Sequence, residues 1–111
     1  MSRRDDATSL RQMLDHAREI VDLTRGRSLA DADADRVLRL ALLHLLSILG
    51  EAARRVSAAM RSAHPEIVWR EITGTRNWLI HVYDDVDFPR IWRTATEDVP
   101  KLVEQLERIL R

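Results

Sequence analysis

The chain has no cysteine. That excludes a disulfide framework and thiolate chemistry, and it fits a reducing compartment. It also has no net charge, since 18 Lys and Arg balance 18 Asp and Glu. A protein that holds nucleic acid across a broad basic surface carries a surplus of cations. Here any such contact must be local and small. Lysine is nearly missing: Lys101 stands alone and every other cation is arginine. Arginine suits forked phosphate contacts and equally well the ion pairs of a helix surface. Residues 1–8 lack the apolar stretch of a signal peptide. The most apolar run, Leu38 to Leu49, is interrupted by Arg39, His44 and Ser47 and is too short to span a bilayer. The expectation is a soluble, cytoplasmic protein with no membrane partner. Internal repeats, low-complexity tracts, long linkers and sustained period-two alternation are all lacking, so no sheet is expected. His16, His44 and His64 have no metal-ligand spacing with one another. Asp84, Asp85 and Asp87 resemble a fragment of a calcium loop without its remainder. They read instead as the cap and turn before the last helix.

What is present reads as helix. Hydrophobic residues make up 45% of 111 residues, enough for one folded domain spanning 1–111. A first helix is expected from Ser9, where Ser9 and Gln12 have capping-box spacing. Leu10, Met13, Leu14, Ala17, Ile20 and Val21 then recur at helical intervals, and Gly26 is the stop. Ser28 with Asp31 forms a second cap over a short acidic stretch through Asp35. The longest helix is predicted from Arg36 to Ser62, until His64-Pro65 breaks it. Its middle is apolar nearly all round, whereas a surface helix needs one stripe. It is therefore central to the bundle or buries a second face in another subunit, and a chain this short points to a homodimer. His44, among leucines, reads as a core or interface histidine. A turn over Glu66 to Ile72 leads to Gly74 and a helix across Thr75 to Tyr83. The last helix opens at Asp87-Phe88-Pro89 and runs through Ile91, Trp92, Ala95, Val99, Leu102, Val103, Leu106 and Ile109, with Pro100 kinking or dividing it.

The segment with chemistry is Arg76-Asn77-Trp78-Leu79-Ile80-His81-Val82-Tyr83. On an ideal helix of about 100° per residue, with Arg76 at zero, Asn77 falls near ~100°, His81 near ~140° and Tyr83 near ~340°. Trp78, Leu79 and Val82 make the apolar face. Asn77 and His81 stack as i and i+4, so Asn77 can orient the imidazole. RNA cleavage needs a base for the ribose 2′-OH, an acid for the leaving oxygen and a cation for the phosphate. Histidine serves as either acid or base near neutral pH, and arginine supplies fixed charge. No metal or cofactor is required. A two-fold axis beside this helix would bring two copies of each group into one cleft.

At these residues the chain resembles the HEPN superfamily. RNWLIHVYDDVD is similar to its Arg-x4-His signature in the HepT-like form, where Tyr follows as His-x-Tyr. The likeness extends over roughly residues 10–110, through LLHLLSILGEAARRVS, HPEIVWREITGTRNWLIH and IWRTATEDVPKLVEQLERIL. It implies an all-α, antiparallel up-and-down helical bundle forming a homodimer, with the motif facing a cleft between subunits. It implies a metal-independent endoribonuclease acting as the toxin of a toxin–antitoxin pair, on RNA rather than DNA. The implied partner is a minimal nucleotidyltransferase antitoxin that silences the toxin by adenylylating the motif tyrosine. Carried onto this chain, Arg76 stabilises the transition state, His81 is acid or base, Asn77 orients and Tyr83 is modified.

Each of these residues also has a plainer reading. Arg76 could pair with Glu71 or Asp84, His81 could sit at a helix C-terminus near the dipole, and Tyr83 could be a buried ring. Glu51 is a surface group or a cleft residue holding Arg76. Arg54 and Arg55 form a solvated face or touch RNA. The family pattern is often basic where Trp78 stands and Gly where Val82 stands. Trp78 removes a phosphate contact but can stack on a base, and Val82 adds bulk beside the cleft. These departures support a second reading, an inactive helical dimer acting as the binding subunit of a nucleotidyltransferase.

Overall fold

A computed structural model describes residues 3–75 and 87–111. Its elements are α1 (Arg3–Thr24), α2 (Leu29–Asp33), α3 (Arg36–Arg54), α4 (Ala58–Ala63), α5 (Trp69–Gly74), α6 (Phe88–Arg93), a π-helical turn (Thr94–Asp98) and α7 (Val99–Ile109). No strand occurs among the described residues, so the fold is the all-α bundle expected. Helices α1, α3 and α7 form its body, with α1 packed on both others and α5 resting on α3.

Helix α1 follows its apolar stripe. Leu10, Met13, Leu14, Ala17 and Ile20 are buried and Val21 packs against the same core. Each fully buried Leu or Ile of this kind contributes roughly 1.5–3 kcal/mol. The helix begins at Arg3 rather than Ser9, with Asp5 and Asp6 in its first turn, where carboxylates favour the dipole. Ser9 is therefore no cap; it is buried within the helix. Gly26, at a φ of 72°, supplies the left-handed turn that ends it. Ser28 and Asp31 make the predicted capping box, with reciprocal bonds of 2.8 and 3.1 Å. Asp35 lies beyond that helix and caps α3 through Leu38 N–H at 3.0 Å.

The expected helix from Arg36 to Ser62 is two helices. α3 stops at Arg54, and α4 restarts after Ser57. The cause lies across the fold. The Asp6 carboxylate takes the Ser57 backbone N–H at 2.8 Å and its hydroxyl at 2.7 Å, so this N–H is withdrawn from the helical ladder. The Ser57 hydroxyl also accepts from Met60 N–H and caps α4. Helix α4 ends at Ala63, before His64-Pro65 as the proline predicts. The segment read as a turn over Glu66 to Ile72 is instead helical from Trp69, where the indole N–H donates to the His64 carbonyl at 2.9 Å.

Asp87 caps α6 through Arg90 N–H, with Pro89 in the first turn. Pro100 divides the last helix by widening it. Proline has no N–H and crowds the carbonyl four residues back. The turn before it opens into a π-helix, and Val99 N–H reaches the Thr94 carbonyl five residues back. Helix α3 buries Leu38, Leu42, Leu43, Leu46 and Leu49 but leaves Val37 77% and Leu40 37% exposed, with Ala41, Leu45 and Ile48 half-buried. His44 is exposed on that side, so it is not a core histidine of the single chain.

Candidate functional site

Arg76, Asn77, Trp78, His81 and Tyr83, with the helix expected across Thr75 to Tyr83, lie outside the described residues. What the structure describes is the frame from which that segment leaves and to which it returns. The departure point is Thr75, fully buried at 0% exposure. Its hydroxyl lies 2.5 Å from the Leu46 carbonyl of α3 and 2.7 Å from the Ile72 carbonyl of α5. With one hydrogen to donate, it sits between the two acceptors and ties the end of α5 to the middle of α3. The Ser47 hydroxyl stands 3.5 Å from the Thr75 carbonyl, in the peptide that leads to Arg76.

Ser47 defines the face of α3 turned toward this point. Residues four and seven further on share that face, and these are Glu51, half-buried, and Arg54, exposed. The helix thus presents a carboxylate and a guanidinium in line beyond the point where the motif begins. Arg55 is exposed as well.

The return point is Asp87, which opens α6. Arg90 pairs with Glu71 of α5 at 3.1 Å, and the Thr94 hydroxyl donates to the other Glu71 oxygen at 3.3 Å. Glu71, considered from sequence as a partner for Arg76, thus has Arg90 and Thr94 as partners among the described residues. This link spans the motif segment and holds α5 against α6 and the π-turn. Asp98, at the end of that turn, has its carboxyl pKa raised from its ordinary value. Partial burial is the main cause, and the nearby negative charge of Glu71 adds to it.

Nothing in the pattern of residues announced Thr75, Ser47 or the Glu71–Arg90 link, because each works through a partner 19 to 29 positions away. The one available hint was a threonine between a glycine and the motif arginine. Among the described residues no cluster of His, Asp and Glu could hold a metal ion. No described helix is long and apolar enough to cross a membrane.

Comparison with known proteins places residues 13–109 within the description "Ribonuclease HepT-like". A Methanocaldococcus jannaschii protein named as a candidate RNase is 33% identical over 96% of this chain and 98% of its own length. A protein of Caldanaerobacter subterraneus subsp. tengcongensis, likewise named as a candidate RNase, is 33% identical over 92% of this chain and 91% of its own. A Thermococcus cleftensis protein named as a probable ribonuclease HepT is 36% identical over 81% of this chain and 82% of its own. No solved structure matches the chain. The matched span includes the Arg-x4-His run, Glu51, Arg54 and every residue of the frame.

Proposed function

The chain belongs to the HepT-like ribonuclease family, and on that footing we propose that it is a metal-independent endoribonuclease that cuts RNA with Arg76 and His81. The observation that carries this reading is an Arg-x4-His-x-Tyr run inside a family match that spans residues 13–109. One His81 takes the proton of a ribose 2′-OH. The freed oxygen attacks the adjacent phosphorus, and the 5′-oxygen leaves with a proton from a second acid. The products are a 2′,3′-cyclic phosphate and a free 5′-OH. Arg76 balances the charge that builds on the phosphoryl oxygens, and Asn77 orients the imidazole.

A single chain has one His81 and one Arg76, whereas the reaction uses both a base and an acid. A homodimer supplies the second set. The uncovered apolar side of α3, with Val37 and Leu40 exposed beside His44, supports such a dimer.

The activity is that of a toxin. Its antitoxin is a minimal nucleotidyltransferase that transfers AMP from ATP to the Tyr83 hydroxyl with loss of pyrophosphate. The added phosphate beside the motif repels substrate phosphate and silences the enzyme. Trp78, Val82 and the zero net charge favour one other reading, an inert dimer that serves as the binding subunit of that nucleotidyltransferase.

The deciding experiment incubates purified protein with RNA in EDTA. Cleavage leaving 2′,3′-cyclic phosphate ends, lost in Arg76→Ala and in His81→Ala with helicity retained, is the expected result. A metal requirement, or full activity in either variant, would overturn the mechanism. No cleavage together with stable capture of the nucleotidyltransferase would favour the inert subunit.

A further inference from the structure

A groove of ≈540 Å³ runs between α4 and α5. Arg61 and Ser62 line it from α4, and Trp69, Arg70 and Thr73 line it from α5. Among the described residues its lining contains two arginines and no carboxylate. Neither guanidinium has an ion-pair or hydrogen-bond partner among the described residues, unlike Arg18, Arg25 and Arg90, which face Glu107, Asp22 and Glu71. Arg61 is the sharper case, because its Nε is buried with no hydrogen-bond partner among the described residues. A buried donor on a permanent cation calls for an acceptor. The nearest acid in sequence, Glu66, is engaged with His64 at 3.3 Å.

Trp69 adds a second chemistry. Its indole N–H is held by the His64 carbonyl at 2.9 Å, so the ring stands fixed and half-buried at the groove wall. A fixed aromatic plane beside two unpaired guanidiniums suits a nucleobase and its phosphates. The groove also lies close to the motif in sequence. Thr73 lines it one helical turn beyond Arg70, three residues before Arg76.

We propose that the α4–α5 groove is an RNA-backbone subsite, in which Arg61 and Arg70 bind phosphates flanking the scissile bond and Trp69 stacks on a base. The inference rests on the ribonuclease reading for its ligand. It gives a chain with no net charge a local cationic contact for RNA, because Arg61 and Arg70 line one groove. Arg54 and Arg55 lie just before α4, so the stretch 54–70 carries four arginines against the single carboxylate of Glu66.

The test measures anisotropy of a fluorescent single-stranded 2′-O-methyl RNA, which blocks cleavage, against salt. Arg70→Ala and Trp69→Ala are each expected to weaken binding about tenfold, with the salt slope reduced by roughly 0.7 for each phosphate lost in Arg70→Ala and unchanged in Trp69→Ala. Trp69→Phe restores most of the stacking loss. Arg61→Gln, which keeps Nε, tests the buried position, and a melting midpoint accompanies every variant. Under single-turnover conditions, saturating RNA restores the cleavage rate of Arg70→Ala, because the groove binds and does not react. Unchanged affinity in both Arg70→Ala and Arg61→Gln, with folds intact, would overturn the proposal. So would normal RNA binding together with lost capture of the nucleotidyltransferase, which would assign the groove to a protein. Wild-type chain that binds RNA through these residues without cutting it would leave the subsite standing and remove the ribonuclease reading. Wild-type chain that binds no RNA removes the subsite.

Discussion

Asp6 and Ser57 are 51 positions apart and joined by two hydrogen bonds to one carboxylate, from the backbone N–H at 2.8 Å and the hydroxyl at 2.7 Å. The bonds favour the charged form and hold the Asp6 carboxyl below its ordinary value. Asp6→Ala is expected to cost about 1.5–3 kcal/mol, the range for bonds to a charged group. The check is chemical denaturation. Because the folded pKa is the lower one, this stability is present above the unfolded value of 3.8 and is lost as pH falls through the folded value. The wild-type advantage over Asp6→Ala should shrink below about pH 4.

Asp98 carries the opposite sign. Its raised pKa means that the folded state resists ionising it, chiefly through burial and then through Glu71. The folded state therefore loses stability as pH rises from the unfolded value through the folded one. Asp98→Asn is expected to melt at or above the wild-type temperature at neutral pH. A clear drop would show that the ionised carboxylate is held by favourable contacts.

Thr75 is the last described residue before the motif. Thr75→Val keeps the shape but removes the hydroxyl from between the Leu46 and Ile72 carbonyls. A loss of about 1–2 kcal/mol is expected, with Thr75→Ser retaining the bond. If Thr75 also positions the segment after it, Thr75→Val lowers kcat of RNA cleavage more than it raises KM, and Thr75→Ser rescues. Equal kcat values would confine the residue to stability.

Charge on the open side of α3 should separate a dimer without unfolding the chain. Val37→Glu with His44→Glu alters two exposed side chains. Sedimentation should then show a monomer of unchanged helicity with RNA cleavage lost. A variant that stays dimeric places the two-fold contact elsewhere.

Intact mass with and without the co-expressed nucleotidyltransferase tests Tyr83. One or more AMP units mapping to Tyr83, appearing only with the partner, is the expected outcome. Modification at another residue would reassign the target, and no mass change would leave inhibition by binding alone.

Much of the local structure was legible in the residues. The α1 stripe, the Ser28–Asp31 capping box, the break at His64-Pro65 and the Asp87-Phe88-Pro89 start all appear where the pattern put them. Each is an interaction within four residues, so the linear string contains both partners. The candidate motif, Arg76 to Tyr83, could be read for the same reason, as a run of eight adjacent residues. The frame around it was not. A serine within a helical pattern, at Ser57, does not reveal that an aspartate 51 positions earlier will take its N–H.

By itself, then, the sequence determined that the protein is helical, where α2, α3 and α6 begin and which short segment is the candidate for the chemistry, because backbone propensity and capping act over single turns. Only the tertiary structure decided that α3 ends at Arg54, that Thr75 is tied to Leu46, that Glu71 spans the motif to meet Arg90, and that Arg61 and Arg70 share a groove without a counter-charge among the described residues. Those outcomes depend on which distant groups the packed core brings within hydrogen-bond reach, and on which it leaves without a partner.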